Sequence, residues 1–87
     1  MTATTATRPI YEIANDIIAD FVKAGKPVPF GAKPYIEAMS TLVAPSDSYY
    51  ADTAKSVILY ALSNLTGWRG ETARAVKAEL KELIKGY

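Results

Sequence analysis

Neither cysteine nor histidine occurs anywhere in this 87-residue chain. The first absence removes disulfides and thiolate chemistry. The second removes the side chain that most often serves as a general base near neutral pH, and with it the commonest nitrogen ligand of a transition metal. No phosphate-cradling loop is present either, because Gly31, Gly67 and Gly70 are scattered and read as caps and turns. No catalytic residue, metal ligand or cofactor is therefore expected, and the chain reads as a non-enzyme. Excess charge of one sign is also missing. Ten basic and nine acidic residues leave a formal charge of +1, so only the local distribution of charge can point to nucleic acid. No apolar run approaches the roughly 18 residues that cross a bilayer. Residues 1–7 are Thr/Ala-rich and lack the basic start and apolar middle of a signal peptide, so a cytoplasmic location is expected.

What the chain does have is apolar residues, 49% of the total, enough for a core and too many for a disordered protein. The length suits one domain, near the lower limit of what folds without a staple, so stability has to come from packing or self-association. Their spacing is helical. Ile10, Ile13, Ile17, Phe21 and Ala24 recur every three or four residues, with Ala14 and Ile18 widening the stripe. Pro9 suits a first turn and Gly25 a stop, which predicts a helix over 9–24. Glu12, Asp16 and Asp20 form an acidic line on its other face, most simply a solvated one.

Pro27 and Pro29 make 26–30 an extended connector, with Val28 and Phe30 expected to lie over the core. A second helix over 32–43 carries Tyr35, Ile36, Met39, Leu42 and Val43 and ends at Ala44-Pro45. Ser46, Asp47 and Ser48 are three candidate N-caps for a third helix over 48–65, with Tyr50, Ala54, Val57, Ile58, Ala61, Leu62 and Leu65 on its broad apolar stripe. Ala73, Val76, Leu80, Leu83 and Tyr87 repeat at three, four, three and four in a fourth helix over 68–85. That is the seam of a helix packed nearly parallel or antiparallel to a neighbour. The expected fold is all-α: a compact four-helix domain over 9–87 behind a disordered N-terminal tail, 1–8.

Three segments carry a resemblance: Phe30-Gly31-Ala32-Lys33-Pro34-Tyr35-Ile36-Glu37-Ala38-Met39, Tyr50-Ala51-Asp52-Thr53-Ala54-Lys55-Ser56, and Trp68-Arg69-Gly70-Glu71-Thr72-Ala73-Arg74. Over about 10–83 the chain resembles a family of small proteins carried by bacteriophages, plasmids and other mobile elements, especially of actinobacteria. The resemblance brings no established activity or catalytic residue. It implies an accessory factor that acts on host machinery, defence or DNA processing.

Two constellations could bind. Trp68 and Arg69 sit in the turn before the fourth helix. A cation at a helix N-terminus meets the positive end of the dipole and needs a partner, either a carboxylate of the same chain or an anion outside it. Trp68 reads either as a core plug or as an exposed anchor, because Trp and Arg are enriched among binding hot spots. Tyr49 and Tyr60 fall off the apolar stripes and suit an amphipathic contact surface. The second constellation is basic. Arg74, Lys77, Lys81 and Lys85 share one face of the fourth helix and could neutralise phosphates, although Glu79 and Glu82 dilute the field and a solvated face is the plainer reading. The stripe could also lie against the acidic line of the first helix. The expected function is a protein-binding accessory protein using Trp68, Arg69, Tyr49 and Tyr60 on a host or phage protein. Nucleic-acid binding through the basic stripe is the alternative, and a homodimer is left open by the clean seam.

Overall fold

The computed structural model describes residues 8–49 and 52–85, with Tyr49 described in its backbone alone. The four expected helices are present: α1 (Ile10–Ala24), α2 (Lys33–Met39), α3 (Ala54–Ser63) and α4 (Glu71–Leu83). A two-residue strand pair, β1 (Ser48–Tyr49) and β2 (Asp52–Thr53), joins α2 to α3 in antiparallel register, Ser48 opposite Thr53. α1 touches both α2 and α4, and α2 packs mainly on α3. No helix among the described residues is long and apolar enough to cross a membrane.

The apolar stripe of α1 is the spine of the core. Ile10, Ile13, Ala14 and Ile17 are wholly buried, and Phe21 nearly so. No side chain caps its N-terminus; instead the Ile10 and Tyr11 amides donate to the Val43 and Leu42 carbonyls at 2.9 Å. The start of α1 is thus tied to the exit of α2, and two otherwise orphaned donors are satisfied. At the other end Gly25 adopts a left-handed φ of 70°. Its amide bonds Val22 and that of Lys26 bonds Phe21, a Schellman stop of the kind glycine favours. From α4, Ala73, Val76, Leu80 and Leu83 are buried as their spacing predicts, and Ile84 joins them. No polar or charged residue is buried among the described residues.

The helix ends depart from expectation where side chains compete for the backbone. α2 stops at Met39, not 43. The Ser40 hydroxyl donates back to the Ile36 carbonyl and that of Thr41 to Ala38, a local alternative to continuing the helix. Val43, expected on the apolar stripe, is therefore exposed. The third helix begins at Ala54 rather than 48, and none of Ser46, Asp47 or Ser48 caps it. Thr53 does, its hydroxyl accepting the Ser56 amide at 3.1 Å. Asp47 looks the other way: its carboxylate accepts the Val43 and Ala44 amides at 3.0 and 3.1 Å. The fourth helix starts at Glu71, three residues later than expected, because Gly70 at φ 114° and ψ 180° is not helical. Tyr50 and Tyr87, expected on the stripes of the third and fourth helices, lie outside the described residues, as do residues 1–7 of the expected tail.

Arg8, the last residue assigned to that tail, is held. Its guanidinium donates two hydrogen bonds to Glu79 on α4, at 3.0 and 2.7 Å, and one to Asp16 on α1 at 2.6 Å. The bonds to Glu79 first, and to Asp16 second, push its pKa further up, so it stays charged at any accessible pH.

Asp47 carries a pH prediction. The amides of Ala44 and then Val43 favour the carboxylate and lower its pKa below the ordinary aspartate value. The stabilisation is therefore complete above the unfolded-state pKa of about 3.9 and is lost as pH falls through the lower folded value. Acid titration followed by NMR should show the Val43 and Ala44 amides shifting together below about pH 4, while amides in mid-α1 stay put. A midpoint at or above the ordinary aspartate value would contradict the geometry.

Candidate functional site

The turn between α3 and α4 is organised by Trp68. Its ring stacks on Phe21 at a centroid distance of 5.6 Å, and its indole N–H donates to Asp20 Oδ2 at 2.7 Å. On the α4 side the Lys77 ammonium donates to the Trp68 carbonyl at 2.6 Å and stands 5.9 Å from the ring centroid. With only 5% of its surface exposed, Trp68 is the core plug of the two roles open to it. The role of exposed protein anchor is corrected: the ring has almost no surface to offer.

The same turn leaves its cations outside. Arg69 is exposed, and among the described residues neither it nor Arg74 makes an ion pair or hydrogen bond through its guanidinium. Both border an open depression of about 340 Å³ at the start of α4, lined also by Thr66, Trp68, Gly70, Ala73 and Lys77. No carboxylate lines it. The pKa of Lys77 is lowered, by burial first and then by the positive charges of Lys81 and Arg69. Gly70 leaves the start of α4 without a side-chain cap, and space beside its Cα is empty to 4 Å. Arg69, expected beside Trp68 as a protein contact, thus shares a surface with Arg74, Lys77 and Lys81 of the basic stripe. Lys85 is exposed one turn beyond Lys81.

The acidic line does not cancel this stripe. Asp16 is engaged by Arg8 and Asp20 by the Trp68 indole, while the ion pairs among the described residues join Arg8 to Asp16 and Glu79. Glu79, expected to dilute the stripe, is turned to Arg8, which removes part of the dilution.

A second surface lies at the α2–α3 side. Tyr60, half exposed, stacks on Tyr35 with centroids 5.1 Å apart. Next to it the backbone at Gly31 runs so close to α3 that a Cβ there would stand 2.5 Å from Asn64 Oδ1. Asn64 in turn donates to the Tyr60 carbonyl at 2.9 Å. Phe30, held between Pro29 and this contact, is 93% exposed. Only Val28 of the two connector residues expected over the core packs against it. Ala32 takes the buried place, after a turn in which its own amide and that of Lys33 both bond the Pro29 carbonyl. Of the expected tyrosines Tyr60 is thus on an open surface, and the side chain of Tyr49 lies outside the described residues. Phe30 was missed as a surface residue because an apolar side chain in the connector reads as core, and its place off every helical stripe is the one signal that could have found it.

Among the described residues no group of three acidic side chains is placed to hold a metal ion. The chain matches no family, no curated protein and no solved structure.

Proposed function

We propose that the protein is a non-catalytic accessory protein, of the kind mobile elements carry, that docks a partner protein on the surface formed by Phe30, Tyr35 and Tyr60. The observation that carries the reading is Phe30, a large apolar side chain with 93% of its surface in water on a braced backbone. Pro27 and Pro29 restrict the connector, and the Gly31–Asn64 contact fixes its end, so the ring is presented with little entropy left to lose on binding. Tyr35 and Tyr60 extend the surface with stacked rings, the residue type that most often anchors an interface. Lys26 and Lys33 flank the connector without an ion pair among the described residues, against one carboxylate, Glu37. The partner that fits is a protein presenting an apolar pocket with an acidic rim.

The test compares the wild type with Phe30→Ser/Tyr60→Ser, immobilised and exposed to bacterial host lysate at rising salt. The expected result is one protein retained as salt rises and lost from the variant, whose helical circular dichroism is unchanged. Retention unaffected by the two substitutions overturns the reading. So does a concentration-dependent dimer, abolished by the same pair in sedimentation, because it assigns the surface to a second copy.

A further inference from the structure

We infer that the depression bounded by Arg69, Arg74 and Lys77 binds the phosphates of a nucleic-acid backbone, with Lys81 as the next cation along the same track. This goes beyond the aromatic surface and rests on other residues. A cation before a helix start needs either a carboxylate of its own chain or an anion from outside. In the structure Arg69 and Asp20 border a neighbouring depression without forming an ion pair, Asp20 Oδ2 accepting the indole N–H instead, and no carboxylate lines the depression of Arg69, Arg74 and Lys77. Three cations share one concave surface, and the pKa of Lys77 is lowered by burial first, with smaller contributions from the positive charges of Lys81 and Arg69. An anion seated among them offsets their mutual repulsion.

The local backbone suits phosphate. The N-terminus of α4 has no side-chain cap, and with no Cβ at Gly70 a bulky anion can come up to the backbone there. Two features favour a polyanion over a small ligand. The depression is open rather than enclosed, and the cations run past it. From Gly70 to Lys81 α4 rises about 16 Å. That reaches several phosphates of a strand whose charges recur every 3.4 Å or so of axis. The ring of Trp68 is buried, so no base can stack on it, and binding through this track reads the backbone alone.

The experiment is fluorescence anisotropy with labelled single-stranded and duplex DNA of about 20 nucleotides, starting near 50 mM salt. Non-specific binding is expected, with a Kd on the order of 10⁻⁵ M and a log–log salt slope of about −2 to −3, for roughly three phosphates. Arg69→Glu/Arg74→Glu should weaken binding at least about tenfold and flatten the slope by about 2. Lys23→Glu/Lys33→Glu makes the same change in net charge on other elements and should cost less than about threefold. The Phe30→Ser/Tyr60→Ser variant should bind DNA as the wild type does, so the two surfaces are tested separately. Absence of binding at the lowest salt overturns the inference, as does an equal loss in both charge-reversal pairs. Pyrophosphate binding as tightly as the oligonucleotide also overturns it, in favour of a small phosphate ligand.

Discussion

Replacing Trp68 with alanine should remove a large share of the stability of the fold. The residue is 5% exposed, stacked on Phe21, and closes the corner at which α4 returns towards α1. Truncating a buried Trp costs about 3–5 kcal/mol. A domain of this size has a total stability of about 4–13 kcal/mol. Each kcal/mol moves the melting temperature of so small a domain by about 4–8 °C, so thermal unfolding followed by circular dichroism should fall by at least about 12 °C. Trp68→Phe keeps a smaller ring against Phe21 and loses both the N–H to Asp20 and the volume of the second ring, so it should cost more than the roughly 1 kcal/mol of the hydrogen bond alone and less than the full truncation. If Trp68→Ala melts within a few degrees of wild type, the corner is held by something other than this side chain.

That corner also shows what could be read from the residues and what could not. The three-four spacing of Ile10, Ile13, Ile17 and Phe21, and of Ala73, Val76, Leu80 and Leu83, identifies α1 and α4 because burying one face of a helix demands that period. The starts of the helices were less legible. Asp47 and Thr53 are both good caps by type, and only the pairing of Ser48 with Thr53 decides that Thr53 caps α3 while Asp47 serves the chain behind it. Arg8 lies outside any periodic segment. Its partner Glu79 is 71 residues away, a separation no local pattern reports.

For the site, the ambiguity over Arg69 was legible and its resolution was not. Whether a carboxylate meets it depends on where Asp20 points, and Asp20 points at the indole. Nor could spacing show that Arg69 belongs with Arg74 and Lys77. Residues 69 and 74 are not helical neighbours, and the turn at Gly70 alone brings both to the rim of one depression. The aromatic surface has the opposite history. Phe30 looked like core because it is apolar, yet Ala32 fills the buried place two residues later.

Gly70→Ala should therefore disturb the molecule more than its small change in volume suggests. There is room for a methyl group, since nothing lies within 4 Å of the Cβ it would carry. The cost is in the backbone, because φ 114° with ψ 180° is a conformation essentially only glycine adopts. Holding alanine there costs about 1–3 kcal/mol, and the chain can escape only by extending α4 backwards or re-forming the turn. Either response moves Arg69 away from Arg74 and Lys77. The expected outcome is a lower melting temperature together with weaker DNA binding than the stability loss accounts for, measured well below the new melting point where the variant is still folded. Gly25→Ala is the control, with a left-handed φ of 70° at the far end of α1 and likewise no neighbour within 4 Å. It should cost about 1 kcal/mol and leave DNA binding unchanged. If both glycine variants lose stability and both keep full affinity, the geometry of the Gly70 turn does not assemble the cation site. If Gly70→Ala alone loses affinity, the turn is what makes one binding surface of Arg69, Arg74 and Lys77.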